Sequence, residues 1–381
     1  DGIDTMTGQD ILMDEFNSGA FGIVMVDKMS DSDVSVLKEK MEKVDHVSKV
    51  LWYDSFVDLG MPKSMLPSKV YDAFNKDTST IMLVIFDDTS SGDGTMKAIN
   101  EIRKVTKHQC LISGISAIVT DTKDLAEQET PIYVCVAVVI SIILLSLLMD
   151  SFMIPVFFLL SIGMAIVYNL GSNFVMGEIS YITKALAAVL QLGVTMDYSI
   201  FLWHSFEEHM EKTNGDKYEA MADAIRATIS SVVGSSITTV AGFIALCFMS
   251  FTLGLDLGVV MAKGVVLGVI SCVTILPAFI LVFHKAIEKT KHRHLLPDFD
   301  KVPRWIAKHY KIFIAVFVIL LVPAIYGQAN TKVYYDLTLS LPDSLESVVA
   351  QNKIAKEYDL GSANIILLDS DVKSKDVSAM L

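Results

Sequence analysis

Ala185–Phe206, ALAAVLQLGVTMDYSIFLWHSF, is an apolar run with a single carboxylate, Asp197, near its middle. At about 1.5 Å per residue a helix of this length crosses a bilayer core of about 30 Å. An ionisable group at that depth costs roughly 2.5–3.5 kcal/mol on insertion scales, so it needs a partner or a task. At 100° per residue Gly193, Asp197 and His204 share one stripe, and Gln191, Thr195 and Tyr198 form a polar strip beside it. Two readings stay open for Asp197. One is a structural acid hydrogen-bonded to neighbouring helices. The other is a carboxylate that takes up and releases protons during transport.

The rest of the chain supplies more apolar runs of this kind. Hydrophobic residues make up 52% of the 381 residues and mean hydropathy is +0.48, yet 20% of the residues are charged. Soluble and membrane parts must therefore alternate. Of the net charge of −13, residues 1–130 carry −10, which argues against nucleic-acid binding. Cys110, Cys135, Cys247 and Cys272 have neither paired nor metal-type spacing, so no disulfide, metal or cofactor is expected. No Ser-His-Asp or metal-ligand spacing points to a hydrolase.

Residues 1–130 read as an α+β domain. Phe21–Lys28 is an apolar strand, Asp31–Val44 a charged amphipathic helix capped by Ser30 or Asp31, and Val50–Asp58 an alternating strand. The Pro-marked loop MPKSMLP leads to a short helix near Val70–Phe74. Thr80–Asp88, Gly94–Lys107 and Cys110–Ser116 follow as strand, helix and strand. The order βαββαβ predicts the ferredoxin-like split βαβ unit. Ala117–Thr130 is expected as a polar helical connector, with Pro131 opening the first span.

Spans are predicted at about 131–150, 152–172, 184–206, 229–251, 257–284 and 311–330. In the fourth, Gly234, Thr238 and Gly242 recur at four-residue spacing with Ser235 and Thr239 alongside. Such small residues let helix backbones approach, and the hydroxyls are placed to reach Asp197. Gly264, Gly268 and Cys272 repeat the stripe in the fifth. Lys263 either snorkels to the outer interface or pairs with Asp197 or Asp256. Residues 284–311 carry eight Lys and Arg against three acids, which marks that loop as cytoplasmic and residues 1–130 as extracytoplasmic. Trp305 and Tyr310 suit the membrane interface.

Glu357–Asp369, EYDLGSANIILLD, repeats Glu15–Asp27, EFNSGAFGIVMVD, 342 residues on. An internal duplication accounts for this. It predicts that the chain is part of a longer protein. The organisation expected is a first porter domain (1–130), a five-span bundle (131–284), a basic loop (285–310), a span opening the second repeat (311–330) and the start of a second porter domain (331–381).

The Gly193-x-x-x-Asp197-Tyr198 core, its exit HSFEEHMEK and the duplicated domain-and-bundle plan resemble the MMPL branch of the resistance–nodulation–division (RND) transporters. The resemblance covers essentially the whole chain. It implies a polytopic helical membrane protein with ferredoxin-like porter domains, exporting hydrophobic, amphiphilic or lipidic molecules on the proton-motive force. No cofactor beyond the proton is implied, and the bilayer is the environment. Asp197 and Tyr198 would carry the proton relay, with Gly193, Thr195, Ser235, Thr238, Thr239 and Lys263 in support. A second Asp-Tyr helix of the family pattern is absent from these residues. Other readings are a lipid- or sterol-sensing module of the same bundle type, disfavoured by the few cysteines, and a SecD/SecF-like protein-export motor. The substrate's identity and a homo-oligomeric state stay open.

Overall fold

The computed structural model describes residues 4–56, 68–177, 179–292, 301–332, 341–361 and 367. Two compact units emerge, residues 1–125 with 333–381, and residues 126–332. The loop MPKSMLP, residues 293–300 of the basic loop and the strand expected inside Glu357–Asp369 lie outside the described residues, except Leu367.

In the first unit α1 (Asp4–Phe16) precedes β1 (Ala20–Asp27), α2 (Asp31–Met41), β2 (Val47–Leu51), α3 (Ser68–Phe74), the two-residue β3 (Asn75–Lys76), β4 (Ser79–Phe86), α4 (Asp93–Val105) and β5 (Cys110–Ser113). The sheet order is β2-β4-β1-β5, antiparallel throughout, with β3 pairing β4. β1 reads AFGIVMVD because both of its faces are covered. On one face Val24 and Val26 meet Val34, Leu37 and Met41 of α2 and Ile99 and Ile102 of α4. On the other, Met25 meets Ile354 and Tyr358 of α13 (Glu346–Tyr358). Ser30 Oγ accepts from Asp33 N at 3.2 Å to start α2, with acids in the first turn and Lys38 and Lys40 in the last, as the helix dipole favours.

β2 ends at Leu51, seven residues short of the strand end expected from its alternation. The chain turns there because Trp52 is fully buried and its indole N–H donates to Thr80 Oγ1 at 2.7 Å, while the Trp52 backbone N–H donates to Ser55 Oγ. α13 occupies positions 346–358 and α1 positions 4–16, the same 342-residue offset as the sequence repeat.

α5 (Ile115–Leu148) is one helix. The polar connector and the first span expected on either side of Pro131 are therefore continuous, and the proline is accommodated inside. The second unit also holds α6 (Met153–Gly171), α7 (Tyr181–Lys212), α8 (Lys217–Leu246), α9 (Thr252–Val282), α10 (His284–Lys289), α11 (Lys301–Lys308) and α12 (Tyr310–Asn330). Among the described residues six helices are long and apolar enough to cross a membrane: α5, α6, α7, α8, α9 and α12. They overlap the six predicted spans, but α7 runs on to Lys212, past the expected end at Phe206, and α8 begins at Lys217 and stops at Leu246, not Phe251. Asp216 starts α8 early by accepting from Tyr218 N and Glu219 N. A core of Phe157, Phe158, Tyr198, Leu202, Trp203, Phe206, Leu276 and Ile280 joins α6, α7 and α9.

Candidate functional site

α7 carries the candidate site, and its two polar stripes have opposite fates. Gln191, Thr195 and Tyr198 are buried, as is Ser199. Gly193, Asp197 and His204 are exposed, with none of the described residues within 4 Å of where a Cβ on Gly193 would stand. The helical spacing places both stripes correctly, but the acid stripe faces away from this chain's own helices. The environment expected for Asp197, desolvated between helices and contacted by α8, is not provided here.

The supporting residues do not converge on Asp197 either. Ser235 Oγ donates to the Val232 carbonyl, and Thr238 and Thr239 both donate to the Ser235 carbonyl at 2.7 and 3.1 Å. Each satisfies a hydroxyl on its own helix, which is the cheapest solution in an apolar medium. Lys263 donates to Asn173 Oδ1 rather than pairing with Asp197 or Asp256. Asp256 instead accepts from Ser180 N, just before α7. Tyr198 packs in the α6–α7–α9 core beside Leu202 and Trp203. Adjacent in sequence, Asp197 and Tyr198 point about 100° apart around the helix.

What the bundle does bring together is a buried polar seam. Asn169 Nδ2 donates to Gln191 Oε1 at 2.9 Å across α6 and α7, and Thr195 Oγ1 donates to the Gln191 carbonyl at 2.7 Å. Ser161 and Ser271 share hydroxyl hydrogen bonds between α6 and α9. Asn169, Asn173, Ser161 and Ser271 were not singled out from the sequence. The signal was there, since an amide in an apolar span needs a partner.

The close approach that builds this seam belongs to α9. A Cβ on Gly268 would lie 2.3 Å from Thr195 Cγ2, and one on Gly264 would lie 2.6 Å from Asn169 Nδ2. Among the described residues none comes within 4 Å of where a Cβ on Gly234 or Gly242 of α8 would stand, so their stripe is not the packing seam expected of it here. Gly268→Ala should therefore destabilise the bundle by about 1–3 kcal/mol through overpacking. Gly193→Ala should cost less, because no described residue comes within 4 Å of where its Cβ would stand. Thermal midpoints of the purified full-length protein check both; equal midpoints for the two variants would refute the packing account.

The family model described as "MMPL family" matches residues 29–310. A Streptomyces coelicolor membrane protein, SCO0839, is 24% identical over 282 residues, covering 68% of this chain and 39% of that protein. The apo-petrobactin exporter of Bacillus anthracis is 26% identical over 58% of this chain and 33% of its own length. The transport protein MmpL12 of Mycobacterium tuberculosis is 23% identical over 66% of this chain and 22% of its own. The chain thus spans well under two thirds of each of these relatives. Its six membrane-length helices fit the family match, which covers most of the chain: this is a multi-pass membrane protein of the MMPL family of RND-type transporters.

Proposed function

We propose that the chain is part of a proton-driven exporter of hydrophobic, amphiphilic or lipidic molecules, with Asp197 as the coupling residue. One observation carries the proposal: an ionisable side chain stands mid-span on a stripe that its own helices leave open. A carboxylate facing lipid there would be costly, so the proposal has this stripe covered in the assembled transporter, by the remainder of a longer chain or by a second copy. Binding a proton would remove the charge and change the preferred packing of the stripe. A proton does this only if two bundle arrangements bind it unequally. Tyr198, buried next in sequence, positions α7 against α6 and α9.

The antiparallel order β2-β4-β1-β5, with α2 and α4 on one face, supports reading the first unit as a ferredoxin-like porter domain. The shared 342-residue offset of α1 and α13 supports a second copy of it. In this proposal the porter domains are extracytoplasmic and the basic segment 284–311 cytoplasmic. Cysteine placed at Asp93, on the first unit, should react with an impermeant thiol reagent in intact cells of a strain expressing the full-length protein without its native cysteines. Cysteine at Lys308 should react only after permeabilisation, and the reverse pattern would overturn the orientation.

The function itself is tested with the full-length protein in sealed vesicles. Export of a fluorescent amphiphile should follow an imposed proton gradient and collapse when that gradient is dissipated. Export that persists without a gradient would sink the proposal.

A further inference from the structure

At the basic end of the bundle, away from Asp197, four elements are tied around one buried acid. Asp150 lies in the turn between α5 and α6, with its side chain only 3% exposed. Lys291, just past α10, places its Nζ 2.7 Å from Asp150 Oδ2 and 3.4 Å from Glu207 Oε1 of α7. The Glu207 carboxyl lies beside that of Asp150. Backbone and hydroxyl contacts fix this arrangement. Ser151 and Lys291 form an antiparallel bridge, His292 N donates to the Asp150 carbonyl at 2.7 Å, and Ser151 Oγ contacts Thr290 Oγ1 at 2.8 Å.

Two carboxyls and one ammonium leave this site one positive charge short, with Asp150 buried, Glu207 partly exposed and Lys291 reaching water. Like charges so close cannot both ionise without cost. Both Asp150 oxygens are buried, and Lys291 Nζ lies 2.7 Å from Oδ2. A proton on Glu207 neutralises one carboxyl and makes Glu207 a second donor to Asp150 beside Lys291. We propose that Asp150 and Glu207 bind one proton between them against Lys291, forming a second proton site at the basic end of the bundle that latches the segment after α10 onto the α5–α6 turn.

The charged neighbours agree with this assignment. Burial alone would raise the Asp150 carboxyl, but hydrogen bonds with Glu207 and Lys291, and the charge of Lys291, outweigh it and hold Asp150 below the usual carboxylate range. Lys291 is held above its ordinary value, chiefly by its hydrogen bond to Asp150. Ionised Asp150, protonated Glu207 and charged Lys291 give a neutral triad. Of the other titratable groups nearby, His204 Nδ1 on α7 is 3.9 Å from Glu207. His284 of α10 turns to Glu288 at 3.6 Å and edges onto Phe206. The His292 ring lies tilted against Phe152, and Lys217 of α8 donates to the Leu281 carbonyl.

The pH consequence has a definite sign. The folded triad holds a proton that a free glutamate in the unfolded chain releases at lower pH. Stability from this site is therefore complete on the acid side and is lost as pH rises through the site's own titration. The site does not depend on the exporter reading, because its test needs neither substrate nor gradient.

The test is the pH profile of the thermal midpoint of purified full-length protein in nanodiscs. The wild type should lose stability between mildly acid and mildly alkaline pH. Glu207→Gln, a permanently neutral donor, should abolish that loss and match the wild type on the acid side. Lys291→Met should move the loss upward by about one pH unit, because the pair then holds its proton more tightly. The part of the loss that Glu207→Gln abolishes should persist in Asp197→Asn, which separates this site from the proposed coupling residue. A Glu207→Gln profile that still falls like the wild type would overturn the proposal. So would a Lys291→Met profile shifted downward, which also serves if Glu207→Gln fails to fold.

Discussion

Asp197→Asn should reduce gradient-driven export by about 100-fold or more, the usual worth of a positioned proton-transfer group, while leaving the protein folded and in the membrane. Asparagine keeps the size and a hydrogen-bonding oxygen but cannot exchange a proton. The fold should tolerate it because Asp197 is exposed in this chain and makes none of the hydrogen bonds that hold α6, α7 and α9 together. That separation makes the variant informative, since loss of export cannot then be blamed on loss of the bundle. Tyr198→Phe should behave differently. Tyr198 is buried in the α6–α7–α9 core, so the change keeps most of the packing and costs export less than Asp197→Asn does. The measurement is efflux of a fluorescent amphiphile from cells expressing full-length protein at matched membrane levels. Wild-type-like efflux from Asp197→Asn would make this acid structural and send the search for the coupling group elsewhere.

The stripes of α7 show what a sequence does and does not tell about such a site. Helical period fixes the angle between Asp197 and the Gln191–Thr195–Tyr198 strip, and the structure keeps that angle. It does not fix which stripe meets neighbouring helices, because lipid is as apolar as a bundle interior and the amphipathic signal that orients soluble helices is missing. The small-residue stripes fail for the same reason. Gly234 and Gly242, eight residues apart with Thr238 between them, follow the same four-residue pattern as Gly264 and Gly268, yet among the described residues only the second pair meets a close neighbour.

In the first unit the signals were sharper. The apolar run of β1 and the Ser30 cap each rest on a local pattern with one structural solution. The end of β2 was misjudged because Trp52 is fixed by Thr80, a partner 28 residues away. Asp150 has no partner nearby in sequence, since Glu207 and Lys291 come from elements far along the chain. Long-range polar partners were what the sequence kept hidden.

Asp121→Ala should be the most damaging single change in the first unit, at about 3–5 kcal/mol, the range for breaking a buried ion pair from one side. Arg103 and Asp121 are both under a tenth exposed, and the guanidinium donates to the carboxylate twice, at 2.6 and 3.2 Å. Burial alone would lower the Arg103 pKa, but Asp121 and Glu346 outweigh it and hold the group above its ordinary value, so it stays charged throughout. Removing Asp121 leaves that charge buried with Glu346 as its remaining partner, 3.2 Å away and partly exposed. It also strips the acceptor from Ser347 N, which starts α13. α13 covers Met25 and Ile81 on the second face of the sheet, so a local charge defect becomes loss of a docked helix. Glu346→Gln should cost less, about 1 kcal/mol, because its carboxylate is already partly in water. The double variant should be worse than the sum of the two, as Arg103 then has no acid at all. Thermal midpoints and protease sensitivity of the full-length protein measure this, with cleavage around α13 rising before cleavage in the bundle. An unchanged midpoint for Asp121→Ala would mean that Glu346 alone balances Arg103 and that the pair does not hold α13 in place.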